Sequence, residues 1–360
     1  MKKILFIAHH RKNRAPGQKY RFEQYFDYLR DNNIQCELAF WINEKNDKIL
    51  YHKGKYFSKI LLAFKAYTIR ISNLTKLNNY DLIVVFREAL PTRSIFFEWY
   101  ISRSRVPLVY DFDDAIWVKD ISNVNRKLSW FKNEKKIEKL LPLCSHITCG
   151  NSFLANYAKK FNTNISIIPS TVDTTLYKPL KKKYSDDEII IGWVGSHTTI
   201  KHFELITDVF LDLKKKYNDR IKFVVIGDEN YVNKKLNLKG QKWDNTKEVE
   251  LFNSFDIGVM PLPKDEWAKG KCGMKGLLYM SVGKPAVLSN VGMNKDIINH
   301  GVNGFLPVGH DEWVDILSKL VEDKMLRKKV GDEGRKTVIN KYSIEVIKNS
   351  YLELYRSLMK

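Results

Sequence analysis

The densest run of residues that could do chemistry is Lys269-Gly270-Lys271-Cys272-Gly273-Met274-Lys275, just ahead of the apolar stretch Leu277-Leu278-Tyr279-Met280. Glycines at 270 and 273 let a backbone come close to a ligand, and a helix starting near Gly273 turns its positive end toward whatever sits there. Lys271 and Lys275 add full charges. The combination suits a phosphate or diphosphate, and a glycine-bearing helix start with solvated lysines has the same composition. A second candidate is Ala15-Pro16-Gly17-Gln18-Lys19-Tyr20-Arg21, where Gly17, Lys19 and Arg21 at a helix start suit an anion. A third is Asp111-Phe112-Asp113-Asp114, three carboxylates that repel one another unless a cation faces them. A helix-capping cluster is the plainer alternative there. Arg87-Glu88 and His9-His10 each follow an apolar strand; the former reads as a cleft-facing pair or as a surface ion pair. Gly195-Ser196 ends another strand, in the kind of turn whose amides contact phosphate.

These residues need elements to position them. Apolar runs at Lys3–Ala8, Ile34–Trp41, Asp81–Phe86, Pro107–Asp111, Ile147–Cys149 and Ile165–Ile168 read as strands. Helical spacing at Tyr20–Asn32, Tyr56–Leu74, Ser94–Ser102 and Arg126–Leu141 falls between them. The alternation pauses near Pro179, Lys181–Lys183 and Asp186-Asp187, then restarts. The second half reads as strands at Ile189–Gly195, Ile221–Gly227, Ile257–Met260 and Pro285–Ser289, with helices at Phe203–Tyr217, Glu248–Phe255, Gly273–Val282 and Asp311–Glu322. This pattern predicts an α/β protein with two Rossmann-like, doubly wound parallel sheets. The expected divisions are a first domain over 1–178, a linker over 179–187, a second domain over 188–340, and a helix over 341–360 that packs back toward the first domain. Ligands of such sheets lie beyond the carboxyl ends of the strands, which puts the expected site in a cleft between the domains.

The length of 360 residues agrees with two domains. No run of roughly eighteen apolar residues occurs, so no membrane-spanning helix is expected. The apolar start, Ile4–Ala8, is too short for a signal peptide and reads as a strand. Cys36, Cys144, Cys149 and Cys272 are scattered, which argues against a disulfide framework or a zinc site and for a cytoplasmic location. The net charge of +20 is lopsided, with +14 over residues 1–180 and +6 over the rest. An anionic partner for the first half follows. Tyr56–Leu74 and Arg126–Leu141 are basic and amphipathic, and such helices either rest on an anionic membrane surface or pack their apolar faces on the sheet with solvated lysines outside. No nucleic-acid module is present, and nucleic acid is not the expected partner.

Five stretches resemble glycosyltransferase family 4, a retaining group with the GT-B fold. They are Val109–Trp117; Cys149–Ser152 with Ile168–Asp173; Ile191–Ser196; Lys269–Lys275 with Leu277–Met280 and Gly283-Lys284-Pro285; and Asn303–Leu306. They stand in the family's order and span nearly the whole chain.

The resemblance implies a metal-independent glycosyltransferase without a cofactor. It would move a sugar from a UDP- or GDP-sugar to a saccharide or lipid-linked acceptor, with retention, in capsule, O-antigen or exopolysaccharide synthesis. Its place would be the cytoplasm, peripheral on the inner face of the cell membrane. Lys275 and Lys271 would stabilise the leaving diphosphate and Asp113 would lie near the donor sugar, these three carrying the catalysis. Gly17, Gly195, Ser196, Lys201, Gly273 and Met274 would line the donor. His10, Lys19, Arg21, Arg87 and Asp114 would lie on the acceptor side. No nucleophile is expected, since the family's favoured route is front-face attack with the leaving phosphate taking the acceptor proton. The chain departs from the pattern in three places. Ser196 stands where the family has Arg, with Lys201 matching its Lys. Gly270 and Leu278 replace two glutamates, Leu278 at the ribose-binding position. Asp265 and Glu266 are expected to approach the sugar instead, or else to form an exposed acidic loop. These losses motivate the alternative, a catalytically silent GT-B protein that binds a nucleotide-sugar or a partner.

Overall fold

The computed structural model describes residues 1–50, 52, 54–118, 135–180 and 188–359, which form two units: Met1–Ser170 with Ile347–Lys360, and Thr171–Val346. The first unit holds β1 (Lys2–Ile7), β2 (Ile34–Ala39), β3 (Leu82–Phe86), β4 (Leu108–Phe112), β5 (His146–Cys149) and β6 (Ile165–Ile167). They form one sheet in the order β2-β1-β3-β4-β5-β6, and every neighbouring pair is parallel. Parallel pairing requires crossovers. The helices are α1 (Pro16–Arg21), α2 (Phe26–Asp31), α3 (Glu44–Leu50), α4 (Tyr56–Leu74), α5 (Phe96–Ser102), α6 (Lys136–Leu140) and α7 (Ser152–Ala158). All of β3 and β4 is buried, which is why these strands read as unbroken apolar runs rather than as alternation. The helix expected over 20–32 is broken. Phe22 leaves the helical region at φ −145° and stacks its ring on Phe6 at 5.0 Å, so α1 and α2 are separate pieces.

Two buried arginines fasten this unit. Arg21 of α1 forks onto Asp111 of β4, with Nε to Oδ1 at 3.0 Å and Nη2 to Oδ2 at 2.7 Å, and also donates to the carbonyl of Ile168. The Thr148 hydroxyl of β5 donates to the same carboxylate at 2.5 Å. Arg70 of α4 donates to the carbonyls of Ala8, Ala39 and Ala89 at 2.6, 3.0 and 2.9 Å. It thereby ties together the carboxyl end of β2 and the backbone just beyond β1 and β3.

The second unit holds β7 (Ile189–Val194), β8 (Ile221–Ile226), a ribbon of β9 (Val232–Asn233) and β10 (Leu238–Lys239), β11 (Ile257–Met260) and β12 (Ala286–Leu288). Its parallel sheet runs β12-β11-β7-β8. The helices are α8 (Ile200–Glu204), α9 (Thr207–Tyr217), α10 (Glu248–Ser254), α11 (Glu266–Lys269), α12 (Met274–Ser281), α13 (Asn294–Ile297), α14 (Gly309–Glu322) and α15 (Lys324–Lys341). Trp193, Phe210, Leu213, Val225, Val259 and Leu317 are among its core residues. The boundary lies at Ser170–Thr171, ahead of the expected 178. The reason is backbone pairing: Val172 N–H donates to Tyr342 at 2.9 Å, Arg335 donates to the carbonyl of Tyr177 at 2.9 Å, and Leu180 N–H donates to Asn253 Oδ1 at 2.8 Å. The last helix, α16 (Ile344–Leu358), belongs to the first unit from Ile347 onward, where Tyr351 and Tyr355 meet Tyr25 and Phe6. The expected linker residues 181–187 and the stretch 119–134, which includes most of the expected basic helix over Arg126–Leu141, lie outside the described residues.

Removing one member of a buried ion pair leaves the other charge without compensation. Asp111→Ala should therefore destabilise the first unit by about 3–5 kcal/mol. Urea unfolding followed by circular dichroism checks this, and a loss below about 1 kcal/mol, the value of a surface pair, would refute it.

Candidate functional site

In the first unit, Arg87 follows β3 and takes the left-handed conformation, φ 62°. That costs an ordinary residue about 1–2 kcal/mol. Both of its backbone groups are held: its N–H donates to the Asp111 carbonyl at 2.8 Å, and its carbonyl accepts from the Tyr110 hydroxyl. So fixed, its guanidinium reaches the end of β4. Nε donates to Asp113 Oδ1 at 2.7 Å and Nη2 to Asp114 Oδ2 at 2.5 Å. The acidic cluster is thus shared between two cations, Arg21 on Asp111 and Arg87 on Asp113 and Asp114. Glu88, next in the chain, accepts from Lys136 Nζ at 3.1 Å. Burial pushes the Asp113 carboxyl above its ordinary value; Arg87 opposes the rise and Asp114 adds to it.

Gly17 opens α1 beside this pair. A β-carbon there would lie 3.0 Å from Asp113 Oδ2 and 3.1 Å from Phe86 Cζ, so glycine allows the approach. The loop before α1 is sewn down by residues that motif reasoning missed. Gln18 accepts from the His10 amide at 2.9 Å, returns a bond to its carbonyl at 2.8 Å, and donates to Glu23 at 2.9 Å. Their side-chain types carried no motif signal; only their place one and two turns into a helix start hinted at capping. His10 is driven down to about 4, by burial first and then by Arg14, so it is a neutral imidazole near pH 7. Lys19 sits half-buried with its ammonium 5.2 Å from the Tyr20 ring centre. Arg21, expected on the acceptor side, is corrected: it is wholly buried and spent on Asp111 and Ile168.

In the second unit, Gly273 begins α12 in the left-handed conformation, φ 66°, which strains any other residue, and a β-carbon there would also displace the tip of Ile297. The cap residue of α12 is a glycine with no side chain to meet its first amides, which carry the helix's partial positive charge. Lys275, in that first turn, lies 4.4 Å over the ring of Trp193 at the end of β7. Burial, then the charge of Lys271, lowers Lys275 from 10.5 to about 7. Lys271 lies 3.7 Å over Trp267, whose ring stacks on His202 at 5.1 Å. Met274 is half-buried beside them in sequence.

Other expectations change here. The amides of Gly195 and Ser196, expected to face phosphate, donate to the Ile226 carbonyl at 2.9 Å and the Thr199 hydroxyl at 3.0 Å. Ser196 instead offers a hydroxyl in a cluster with Thr198 at 2.8 Å, and Lys201 is exposed on α8. Asp265 is the N-cap of α11, accepting from Ala268 N–H at 2.8 Å, and Glu266 follows it, exposed. Leu278, expected at the donor, is buried in the core and so is removed from the site. Gly270 is buried too. Beyond β7 and β8 opens a hollow of about 480 Å³ lined by His197, Gly227, Asp228, Glu229, Lys242 and Trp243. Motif reasoning missed it, although Gly227 directly after a strand was a signal: at φ 120° a side chain there would run into the Gly195 carbonyl. One unit therefore gathers an arginine-held carboxylate pair, and the other gathers cations, aromatic rings and helix amides fit for an anion.

Residues 178–337 match the family model of the glycosyl transferases group 1. The chain is 26% identical to the capsular polysaccharide biosynthesis glycosyltransferase CapM of Staphylococcus aureus, over 50% of each protein. It is 24% identical to N-acetyl-alpha-D-glucosaminyl L-malate synthase of Bacillus anthracis, over 56% of each. It thus spans about half the length of the curated relatives it matches. Sucrose-phosphate synthase from Thermosynechococcus elongatus is similar in structure, with a TM-score of 0.74 over 99% of both chains at 14% identity. So is HepE from Anabaena, solved in complex with UDP and glucose, with a TM-score of 0.69 over 99% of this chain and 100% of that one at 16% identity. The fold is GT-B, two parallel α/β units.

The Lys275 shift has a stability signature with a definite sign. Below pH 7 the lysine is charged in both folded and unfolded chains, and the folded state bears the cost of a half-buried ammonium beside Lys271. Between about 7 and 10.5 the folded chain releases the proton first, so stability rises with pH. Lys275→Met should be more stable than the wild type at pH 6 and lose that advantage toward pH 10. Denaturant midpoints of both proteins across this range test it, and a pH-independent difference would overturn the assignment.

Proposed function

We propose that this chain, whose residues 178–337 match the family model of the glycosyl transferases group 1, moves a sugar from a UDP- or GDP-sugar to a saccharide or lipid-linked acceptor, with retention, in surface polysaccharide synthesis. The observation that carries the reading is Lys275 at the glycine-capped start of α12, above Trp193. In such a transfer a nucleoside diphosphate leaves, and negative charge grows on it as the glycosidic C–O bond breaks. Lys275 and the first amides of α12 meet that charge, with Lys271 as a second cation. A bound diphosphate lifts Lys275 back to its charged form. The hollow beyond β7 and β8 takes the nucleoside, with Trp243 and Lys242 on its wall. Asp113, oriented by Arg87, accepts a hydrogen bond from a sugar hydroxyl. The acceptor oxygen attacks on the face the diphosphate leaves, and its proton passes to a phosphate oxygen. The name of CapM and the UDP and glucose bound to HepE support this donor and product class.

A second reading, binding without turnover, is favoured by the buried Leu278 and by Gly270, which leave two positions of the resemblance without carboxylates. Release of free nucleoside diphosphate in the presence of acceptor separates the two.

A thermal-shift screen of UDP, GDP, dTDP and CMP with their common sugars tests the donor half, and stabilisation by a uridine or guanosine nucleotide is expected. Stabilisation by none would refute the reading. Lys275→Ala should lower turnover by roughly 10²–10³-fold, the usual cost of one oxyanion-stabilising group, with the fold intact. Binding of the diphosphate should weaken as pH rises from 7 toward 9 in the wild type, because the lysine must first take up a proton, and should be flat over that range in Lys275→Ala. Near-normal turnover of the variant would remove Lys275 from the chemistry.

A further inference from the structure

α4 has two apolar faces, and the core uses only one. At about 100° per residue, Leu62, Ala66 and Arg70 share one side and are buried. Phe57, Ile60, Leu61, Phe64, Tyr67 and Ile71 fall within an arc of about 120° on the other side. All six are exposed, Phe57 by 74% and Phe64 by 68%. The face continues onto α5. The Tyr67 ring meets Phe97 at 5.4 Å, Phe97 meets Phe96 at 5.4 Å, and Phe96 lies 6.4 Å from Trp99, with Phe96, Trp99 and Tyr100 all exposed. Single exposed apolar side chains are ordinary, but a contiguous aromatic face on two helices is not.

The exposed charges on these two helices and their flanks have one sign. Residues 55–76 contain no carboxylate at all, and Lys55, Lys65 and Lys76 are exposed. Residues 91–106 contain one, Glu98, which is buried beside Lys136, while Arg93, Arg103 and Arg105 are exposed. Arg103 lies 5.8 Å over the Trp99 ring. Apolar residues rimmed by Tyr, Trp and basic side chains match the boundary between acyl chains and anionic headgroups. A second copy is disfavoured as occupant, since a two-fold contact would set these basic residues against themselves. No described helix is long and apolar enough to cross a membrane, so the face would lie on the bilayer rather than pass through it.

We propose that the α4–α5 face docks the chain on the surface of a bilayer rich in anionic lipid. This stands apart from the transferase reading and is measured without donor or acceptor. The test is flotation of the full chain with vesicles of phosphatidylcholine alone or with about 30% phosphatidylglycerol, at low and high salt. Two double variants at exposed positions, Phe57→Ser with Phe64→Ser and Lys65→Glu with Arg103→Glu, are run beside the wild type, with unchanged thermal unfolding as the check on folding. The wild type should bind the anionic vesicles and be released by salt. Each double variant should lose at least about tenfold in partitioning, since each removes two of the apolar or basic groups that would meet the acyl chains and headgroups. Failure of the wild type to bind anionic vesicles, equal binding by the variants, or a wild-type dimer that Phe57→Ser with Phe64→Ser dissociates would each overturn the proposal.

Discussion

Arg21 and Asp111 are both out of water, and neither charge could be there without the other. That need governs the first unit. The guanidinium joins α1 to β4 and to the chain leaving β6, and Thr148 brings β5 onto the same carboxylate. With α1 tied down at Arg21, Gly17 lies close against Asp113, where a side chain would press on the carboxylate and on Phe86. Asp111 holds the amide of Arg87 through its own carbonyl, so the same residue also helps to fix the left-handed turn that aims Arg87 at Asp113 and Asp114. The order is a buried pair, then a close approach, then an oriented carboxylate.

The second unit solves a related problem by omission of side chains. Gly227 lets the end of β8 come up to the Gly195 carbonyl, Gly258 makes room for the Tyr279 ring, and Gly273 turns the chain into α12 beneath Ile297. These absences bring Lys275 over Trp193, whose indole is fully buried. The aromatic face offsets part of the cost of holding an ammonium there, and the remaining cost appears as the fall in its proton affinity. An anion placed beside Lys275 would therefore favour its charged form.

Much of this was legible in the sequence, and the failures have physical reasons. The buried strands were readable because parallel sheets covered on both faces need continuous apolar runs, as in Leu82–Phe86. The Lys269–Lys275 string was readable because the φ of Gly273 and the charge of Lys275 are local properties. Helix α15 was missed: its buried positions are Val330, Gly331, Gly334 and Val338, so glycines rather than apolar side chains mark much of its packed face. The Arg21 role was misread because a basic residue near a helix start looks the same whether it faces an anion outside or Asp111 ninety residues on. The outer face of α4 could not be assigned, since apolar residues all round a helix do not say which of them the core will take.

Ala89 joins two parts of the first unit that have been treated separately. Its carbonyl accepts from Arg70 of α4 at 2.9 Å, and its amide donates to Glu98 of α5 at 2.9 Å. Both helices of the exposed aromatic face thus grip one residue, a short step in the chain beyond Arg87. The arms are short and buried, so face and strand end form a ruler rather than a tether. Whatever rests against the outer helices is held at a set height from Arg87 and Asp113. The spacing between the outer faces of α4 and α5 and the end of β3 is therefore set by one residue's two backbone bonds rather than by a loop.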